Sequence, residues 1–368
     1  MRVNCLQLQN FRNYDTLEQP FNKQVIIFRG ANAQGKTNVL EALYMLALGK
    51  SHRTSRDRDC MRWGSSYAVI KAEIERDDGR HRLQVQLSNK GKKVKRNGLE
   101  QRRLSDYIGT LNAVMFAPED LAIVKGKPEV RRRCLDMGIS QVNPTYLYHL
   151  SRYYKILSQR NRLLKDLWRQ PSAATLLEVL NEQLIAAGTQ VILKRNEFIH
   201  KIEGWAQTIQ AQLTNEREQL QLTYRTFIND MKECEEDTVP AQYREQLNQR
   251  AQQEQERGTT MIGPHRDDMT FAVNGVNVQV YGSQGQQRTT ALALKLAEIE
   301  LICQEVGEYP ILLLDDVLSE LDETRQTHLI RSIQEKVQTF MTTTSTDGIH
   351  QETLAAAAVY DVEQGRMR

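Results

Sequence analysis

The stretch Gly30 to Thr37, GANAQGKT, fits G-x-x-x-x-G-K-[ST], a spacing that builds a phosphate cradle. Gly30 and Gly35 carry no Cβ, so the backbone amides of Ala31, Asn32, Ala33 and Gln34 can close around phosphate oxygens. Lys36 brings an ammonium to the β- and γ-phosphates, and the Thr37 hydroxyl is a ligand for Mg²⁺. A second stretch, Ile311 to Asp316, reads ILLLDD. An apolar run ahead of a carboxylate describes a buried parallel strand whose carboxyl end projects Asp315. There Asp315 is placed to hold Mg²⁺, often through a water, and Asp316 to polarise an attacking water. A third stretch, YGSQGQQRTT from Tyr281 to Thr290, opens the run ALALKLAEIE, and a glycine-containing helix start is also a place for an anion. The chemistry is that of a nucleoside triphosphate, with one phosphate-facing helix start more than a single nucleotide needs.

These residues must be carried by an α/β scaffold. The strand VIIF precedes the cradle and the helix TNVLEALYMLALG follows it, while YAVIKAEIE and HRLQVQLS alternate as half-buried strands. From 128 to 257 the texture is helical and polar. YLYHLSRYYKILSQRNRLLKDLW places Leu147, Leu150, Tyr154, Leu157 and Leu164 at helical spacing, and Pro171 ends that run before a second long helix. LQLTYRTFI reads as one isolated strand. The α/β texture then returns, with DDMTFAVNGVNVQVY expected as a hairpin turning at Asn274-Gly275. The organisation expected is one α/β nucleotide-binding head made from 1–127 and 258–368, with a mainly helical lobe, 128–257, inserted between.

Bulk properties narrow the class. With 49 Lys and Arg against 46 Asp and Glu, the net charge of +3 argues for no polyanionic partner, so any such role must come from local clustering. The five cysteines are scattered without a CxxC pair or zinc-like histidine spacing, as in a chain of reduced thiols. The start MRVNCLQLQNF lacks the apolar core of a signal peptide, and no run is long and apolar enough for a membrane span. The expected location is cytoplasmic.

The cradle, the Asp-ended strand and the second glycine helix together resemble the ABC-type ATPases. GSQGQ (Gly282 to Gln286) resembles their signature motif, with Ser283, Gly285 and Gln286 in its key places, and SELD (Ser319 to Asp322) resembles their D-loop. The blocks LQNFRNYDTLEQPF, VMFAPEDLAIVKGKPEVRRRCLD, GPHRDDMTF and LLLDDVLSELD extend the resemblance over nearly the whole chain to the RecF family, an SMC-like branch of bacterial recombinational repair proteins. The resemblance implies an ABC-type head with a shortened helical lobe in place of a long coiled coil. Its cofactors would be ATP and Mg²⁺, with Lys36 and Asp316 catalytic. It also implies an ATP-dependent homodimer in which the signature helix of one copy caps the γ-phosphate held by the other. Asn13, Arg53 and Asp322 would join the nucleotide site. Partners implied are DNA (single-stranded, double-stranded and gapped), RecR, and RecO and RecA in the pathway, with slow hydrolysis as a switch in replication, repair and SOS induction. Four departures stand out. Asp316 replaces the usual Glu, Thr344 and Ser345 stand where a switch histidine is expected, VMFAPEDL has no Q-loop glutamine, and Gln284 replaces a glycine. The first three suit slow hydrolysis. The chemistry of GPHRDD (Gly263 to Asp268) is not legible, and a structural loop is the plainer reading than a metal site around His265.

Three basic runs form the candidate DNA surface: Lys90 to Arg103, Lys125 to Arg133 and Arg152 to Arg169. From them Lys92, Lys93, Lys95, Arg96, Arg102, Arg103, Arg131 and Arg132 are the expected phosphate contacts, although such runs also occur as solvated faces. No helix-turn-helix, zinc finger or RNP-like strand is present, so binding should be led by the backbone of the nucleic acid. Three other classes fit less well. A transporter ATPase subunit would keep the Q-loop glutamine and switch histidine, a small-molecule P-loop kinase has no use for a signature helix, and a structural SMC-like clamp would carry long heptad coiled coils.

Overall fold

The computed structural model describes residues 1–166, 174–229, 231, 236–317, 326, 336–346 and 351–368. The chain divides into two compact units, Met1–Asp120 with Leu292–Arg368, and Leu121–Ala291. The segment from 258 to 291, expected with the head, therefore groups with the helical residues.

The first unit contains two sheets. One is antiparallel, with strand order β2-β1-β4-β5-β6-β7. It is formed by β1 (Arg2–Phe11), β2 (Tyr14–Pro20), β4 (Tyr67–Arg76), β5 (Gly79–Ser88), β6 (Gly91–Arg96) and β7 (Leu99–Glu100). Period-two alternation gives it one apolar face, with Ile70, Ala72 and Ile74 of β4 against Leu83, Val85 and Leu87 of β5. The other sheet is ordered β15-β14-β3-β13-β12-β8. Its members are β3 (Val25–Arg29), β8 (Ala113–Phe116), β12 (Ile311–Asp315), β13 (Thr339–Thr343), β14 (Ala358–Glu363) and β15 (Arg366–Met367). Strands β8, β12, β13, β3 and β14 are parallel, and the near-continuously buried β8, β12, β13 and β3 fit a sheet covered on both faces. Phe21 and Phe340 meet edge to face at 5.1 Å in this core. Helix α1 (Lys36–Leu48) is buried on nearly all sides and ends at Gly49, whose φ of 65° is the left-handed C-cap conformation.

The second unit is mainly helical. It holds α2 (Leu121–Lys125), α3 (Pro128–Val142), α4 (Pro144–Asp166), α5 (Ala174–Leu213) and α6 (Val239–Arg257). Pro128 starts α3 at a position where a missing N–H costs nothing. A small sheet, β9 (Leu220–Arg225), β10 (Asp268–Val273) and β11 (Val276–Asn277), completes it. The β9–β10 pairing, from Asp268↔Arg225 to Val273↔Leu220, explains why the chain after 258 belongs here. The expected hairpin turns at Asn274, but its second strand lasts two residues. Val278–Tyr281 is a helical turn, α7, because the Asn277 side chain accepts from the Gln279 amide and caps it. Helix α8 (Gln284–Val306) follows.

Candidate nucleotide-binding site

The cradle lies where a parallel sheet offers a ligand site, at the carboxyl ends of its strands. Register sets Met341 of β13 beside Ile27 of β3, and Asp315 of β12 beside Thr342 of β13. The loop from Gly30 to Gly35 leaves β3 and enters α1. Gly30 and Gly35 have φ of 157° and 118°. A Cβ on Gly30 would strike the Val362 carbonyl, and one on Gly35 would lie 2.7 Å from Asn13 Nδ2. Ala33 is left-handed as well, at 66°. No side chain caps α1, which leaves first-turn amides for an anion.

Lys36 is 8% exposed, and its Nζ donates to the carbonyls of Gly30 at 2.5 Å and Ala31 at 2.9 Å. Burial pulls its pKa below the ordinary lysine value, against the attraction of Asp316 and Asp315. The ammonium is thus wrapped in the loop it serves, with no neutralising carboxylate bonded to it among the described residues. Asp315 accepts at Oδ1 from the hydroxyls of Thr37 and Thr342, both at 2.8 Å. Its other oxygen takes no hydrogen bond among the described residues. Thr342 Oγ1 also accepts from the Asp316 amide at 3.0 Å. Asp316 is exposed and left-handed at φ 52°, a conformation that costs a non-glycine residue roughly 1 kcal/mol. Among the described residues no group of three or more acidic, His or Cys side chains could cage a metal.

Asn13 reaches this loop, and Arg53 reaches the first turn of α1 that follows it. Asn13 Nδ2 donates to the Gln34 carbonyl and its Oδ1 accepts from Asn38 Nδ2, each at 2.8 Å. Arg53 Nη1 donates to Asn38 Oδ1 at 3.0 Å. Behind them, fully buried Glu41 receives a bidentate bond from Arg12 (2.8 and 2.6 Å) and a hydroxyl bond from Ser51 at 2.5 Å. Burial alone would raise the Glu41 pKa, but Arg12 and Ser51 hold it below the ordinary carboxylate value. Sequence reading missed Arg12, Asn38, Glu41 and Thr342. The first three lie in or beside quoted motifs, while Thr342 is one of three threonines in TFMTT and carries no signal that sets it apart in the sequence.

The second glycine helix begins with a capping box. The Gln286 amide donates to Ser283 Oγ at 3.2 Å, and Gln286 Oε1 accepts from the Ser283 amide at 3.0 Å. Gln287 fastens the turn by donating to the carbonyls of Val278 and Gly282, both at 3.1 Å. The Gly285 carbonyl accepts from Thr289 Oγ1 at 2.8 Å. Ser283 is exposed. As an acceptor from Gln286 it still has its own proton to donate outward. Asp322 lies outside the described residues.

The basic runs separate into surface and interior. Lys93 and Lys95 alternate with Lys92 and Arg96 along β6, so the four occupy two faces of the sheet. Lys92 pairs with Asp57 and Lys93 with Glu100, each at 3.0 Å. Arg96, Arg102 and Arg103 are exposed. Arg131 is not a surface residue. It is 4% exposed and makes a bidentate pair with Asp268, at 2.6 and 2.9 Å. Half-buried Arg132 donates to the Asp267 carbonyl at 2.7 Å. Arg160 of the third run is buried too, bonded to Asn181, Thr260 and Glu254. The GPHRDD block draws Arg131 and Arg132 inward through Asp268 and the Asp267 carbonyl, whereas Arg160 is drawn in by Glu254. The Pro264 carbonyl accepts from Arg195 at 2.6 Å, Asp267 accepts from the Tyr224 hydroxyl at 2.5 Å, and His265 Nδ1 bonds Tyr153 at 2.6 Å. A Cβ on Gly263 would strike the hydroxyls of Tyr153 and Tyr243. Burial lowers the His265 pKa to about 4 and raises that of Asp267 to about 6, the latter against bonds from Tyr224 and attraction to Arg195. The block holds the helical unit together.

The RecF/RecN/SMC N terminal domain family matches residues 2–368. The chain is 52% identical over 366 residues to the DNA replication and repair protein RecF of Oceanobacillus iheyensis, covering 99% of each. It is 51% identical over 368 residues to that of Bacillus subtilis, covering 100% of each. A solved structure of the recombination mediator protein RecF-ATPrS in the RecFOR pathway superposes with a TM-score of 0.92 at 32% identity, over 100% of this chain and 97% of that one. The Smc head domain of Pyrococcus furiosus shares the fold, with a TM-score of 0.55 at 17% identity over 100% of this chain and 95% of that one. No helix among the described residues is long and apolar enough to cross a membrane.

Proposed function

The chain belongs to the RecF/RecN/SMC N-terminal domain family, and from that premise we propose an ATP-gated, dimerising DNA-binding protein of recombinational repair. The observation that carries this reading is the meeting of the Thr37 and Thr342 hydroxyls on one oxygen of Asp315 at the mouth of the glycine cradle. Thr37 and Asp315 would hold Mg²⁺, which neutralises charge on the phosphates. Lys36 would leave the Gly30 and Ala31 carbonyls for the β- and γ-phosphates. Asp316 would orient water, and its short side chain suits slow turnover. Asn13 and Arg53, joined to the loop through Asn38, would steady the cradle.

Ser283, Gly285 and Gln286 of one copy would read the γ-phosphate held by a second copy. The capping box presents Ser283 for that role without consuming its proton. Lys92, Lys93, Lys95, Arg96, Arg102 and Arg103 are the remaining candidates for DNA phosphates, with Arg131 and Arg132 committed to the interior of their own unit. Its relatives are DNA replication and repair proteins, and a solved relative belongs to the RecFOR pathway; a role at gapped DNA with RecR and RecO ahead of RecA loading, in replication, repair and SOS induction, is our extension of that to this chain. DNA affinity measured by anisotropy with ATP and Mg²⁺, with ADP, and without nucleotide is the test. Tight, salt-sensitive binding only with ATP is expected. Equal binding in all three conditions would rule out gating.

A further inference from the structure

Among the described residues, Trp63 is the most exposed large hydrophobic side chain, at 97%. A tryptophan so placed leaves a broad apolar face in water, which marks an interaction site when the backbone beneath it is fixed. Here it is fixed. Cys60 and Met61 are buried below it, Met61 bridges to Phe11, and the Arg12 amide donates to the Cys60 carbonyl at 2.9 Å. The Arg62 amide donates to the Asn10 carbonyl at 2.8 Å, and the Ser65 amide closes the turn onto Arg62 at 3.0 Å. The indole is displayed on a rigid turn.

The charge around it is one-sided. Lys50, Arg53, Arg56, Arg58 and Arg62 precede Trp63, against Asp57 and Asp59. Both acids are engaged, Asp57 with Lys92 and Asp59 as acceptor for the Thr54 hydroxyl. Arg62 pairs with Asp15 at 3.2 Å. Arg56 and Arg58 are exposed and make no ion pair among the described residues. A flat apolar ring that follows exposed, unpaired guanidinium groups within seven residues of chain fits a polyanion that offers π-faces. Single-stranded nucleic acid does so, whereas a duplex hides its base faces in the stack.

We propose that Trp63, with Arg56 and Arg58, is a stacking platform for an unpaired base of single-stranded DNA. The inference rests on the DNA-binding reading above and adds a contact for the bases themselves. The segment is also tied to the nucleotide helix, since Arg12 bonds both the Asp59 carbonyl at 2.5 Å and Glu41 of α1.

The test compares the full chain with its Trp63→Ala and Trp63→Phe variants in ATP and Mg²⁺, using fluorescence anisotropy. The probes are a thymidine oligomer, an abasic strand of the same length, and a duplex. Wild type should favour the thymidine oligomer over the abasic strand by roughly tenfold, the worth of one stacked base. Trp63→Ala should lose that preference while keeping its abasic and duplex affinities, and Trp63→Phe should retain part of it. If Trp63→Ala binds the thymidine oligomer as tightly as wild type, or weakens equally on all three probes, the stacking platform is wrong. Unchanged DNA affinities with altered self-association would overturn it in favour of a protein contact. Wild type that binds no probe at all would instead bring down the DNA-binding reading itself.

Discussion

Arg195 and Lys36 are both buried cations, 0% and 8% exposed, and they are held in opposite ways. Arg195 bonds Asp136 through Nε and Nη2 at 3.0 and 2.8 Å, the Tyr146 hydroxyl at 3.1 Å and the Pro264 carbonyl at 2.6 Å. Its charge is matched and its directions are used. Lys36 donates only to two loop carbonyls and makes no ion pair among the described residues. Burial without a bonded counter-charge is tolerable for a lysine whose partner would be supplied by a ligand. On the proposed reading, the difference separates a site that holds the protein together from one that waits for phosphate, and composition alone cannot distinguish the two.

The comparison is broken most severely by removing Arg195. Arg195→Ala strands Asp136 and the Pro264 carbonyl inside the helical unit, and should cost about 3–5 kcal/mol in urea unfolding. A loss under 1 kcal/mol would show that the network is slack.

Protonation probes the same block more gently. His265 is neutral in the fold, with its pKa lowered to about 4 from the ordinary 6.5. Its contribution is therefore present above pH 6.5 and lost as pH falls toward 4, by up to about 3 kcal/mol. Asp267, raised from 3.8 to about 6, acts in the opposite sense, its contribution being full below pH 3.8 and lost as pH rises through 6. The two compensate in wild type. His265→Gln should tilt the profile, the variant gaining stability relative to wild type as pH falls from 6.5 to 4. Parallel profiles in urea unfolding would contradict the buried neutral histidine.

At the cradle the effects should move to ligand affinity. Lys36→Ala should weaken ATP binding by about tenfold to a hundredfold, roughly 1.4–2.7 kcal/mol, while stability stays level or rises because a desolvated charge is gone. Calorimetric titration and unfolding curves would show both. Thr342→Val is the smallest change, removing one hydroxyl from Asp315 at a cost of about 1 kcal/mol. It should lower the Mg²⁺ dependence of ATP binding more than binding without Mg²⁺. Equal effects in the two conditions would place Thr342 outside the metal's surroundings.

The legible parts of the sequence were those whose physics is local. The glycine spacing beside VIIF marks the cradle, and ILLLDD marks the strand end of Asp315. The period-two runs of β4 and β5 mark half-buried strands. Long-range pairing was not legible. Arg131 and Asp268 lie 137 residues apart, so a run of arginines that reads as a DNA surface is in part an interior lattice. Thr342 becomes a site residue only when β13 lies between β12 and β3. The alternating NVQVY reads as strand by its period of two, yet Val278–Tyr281 forms a helical turn because the Asn277 cap decides the matter. Asp322, expected in the D-loop, falls outside the described residues.

The central claim is that Ser283 of one copy reads a nucleotide held by the other. Light scattering after gel filtration, with ATP and Mg²⁺, with ADP, and without nucleotide, tests it directly beside a Ser283→Arg variant. The account predicts a wild-type dimer with ATP alone, and a variant that binds ATP through its intact cradle yet stays monomeric. Monomers throughout, or dimers of both proteins regardless of nucleotide, would contradict it.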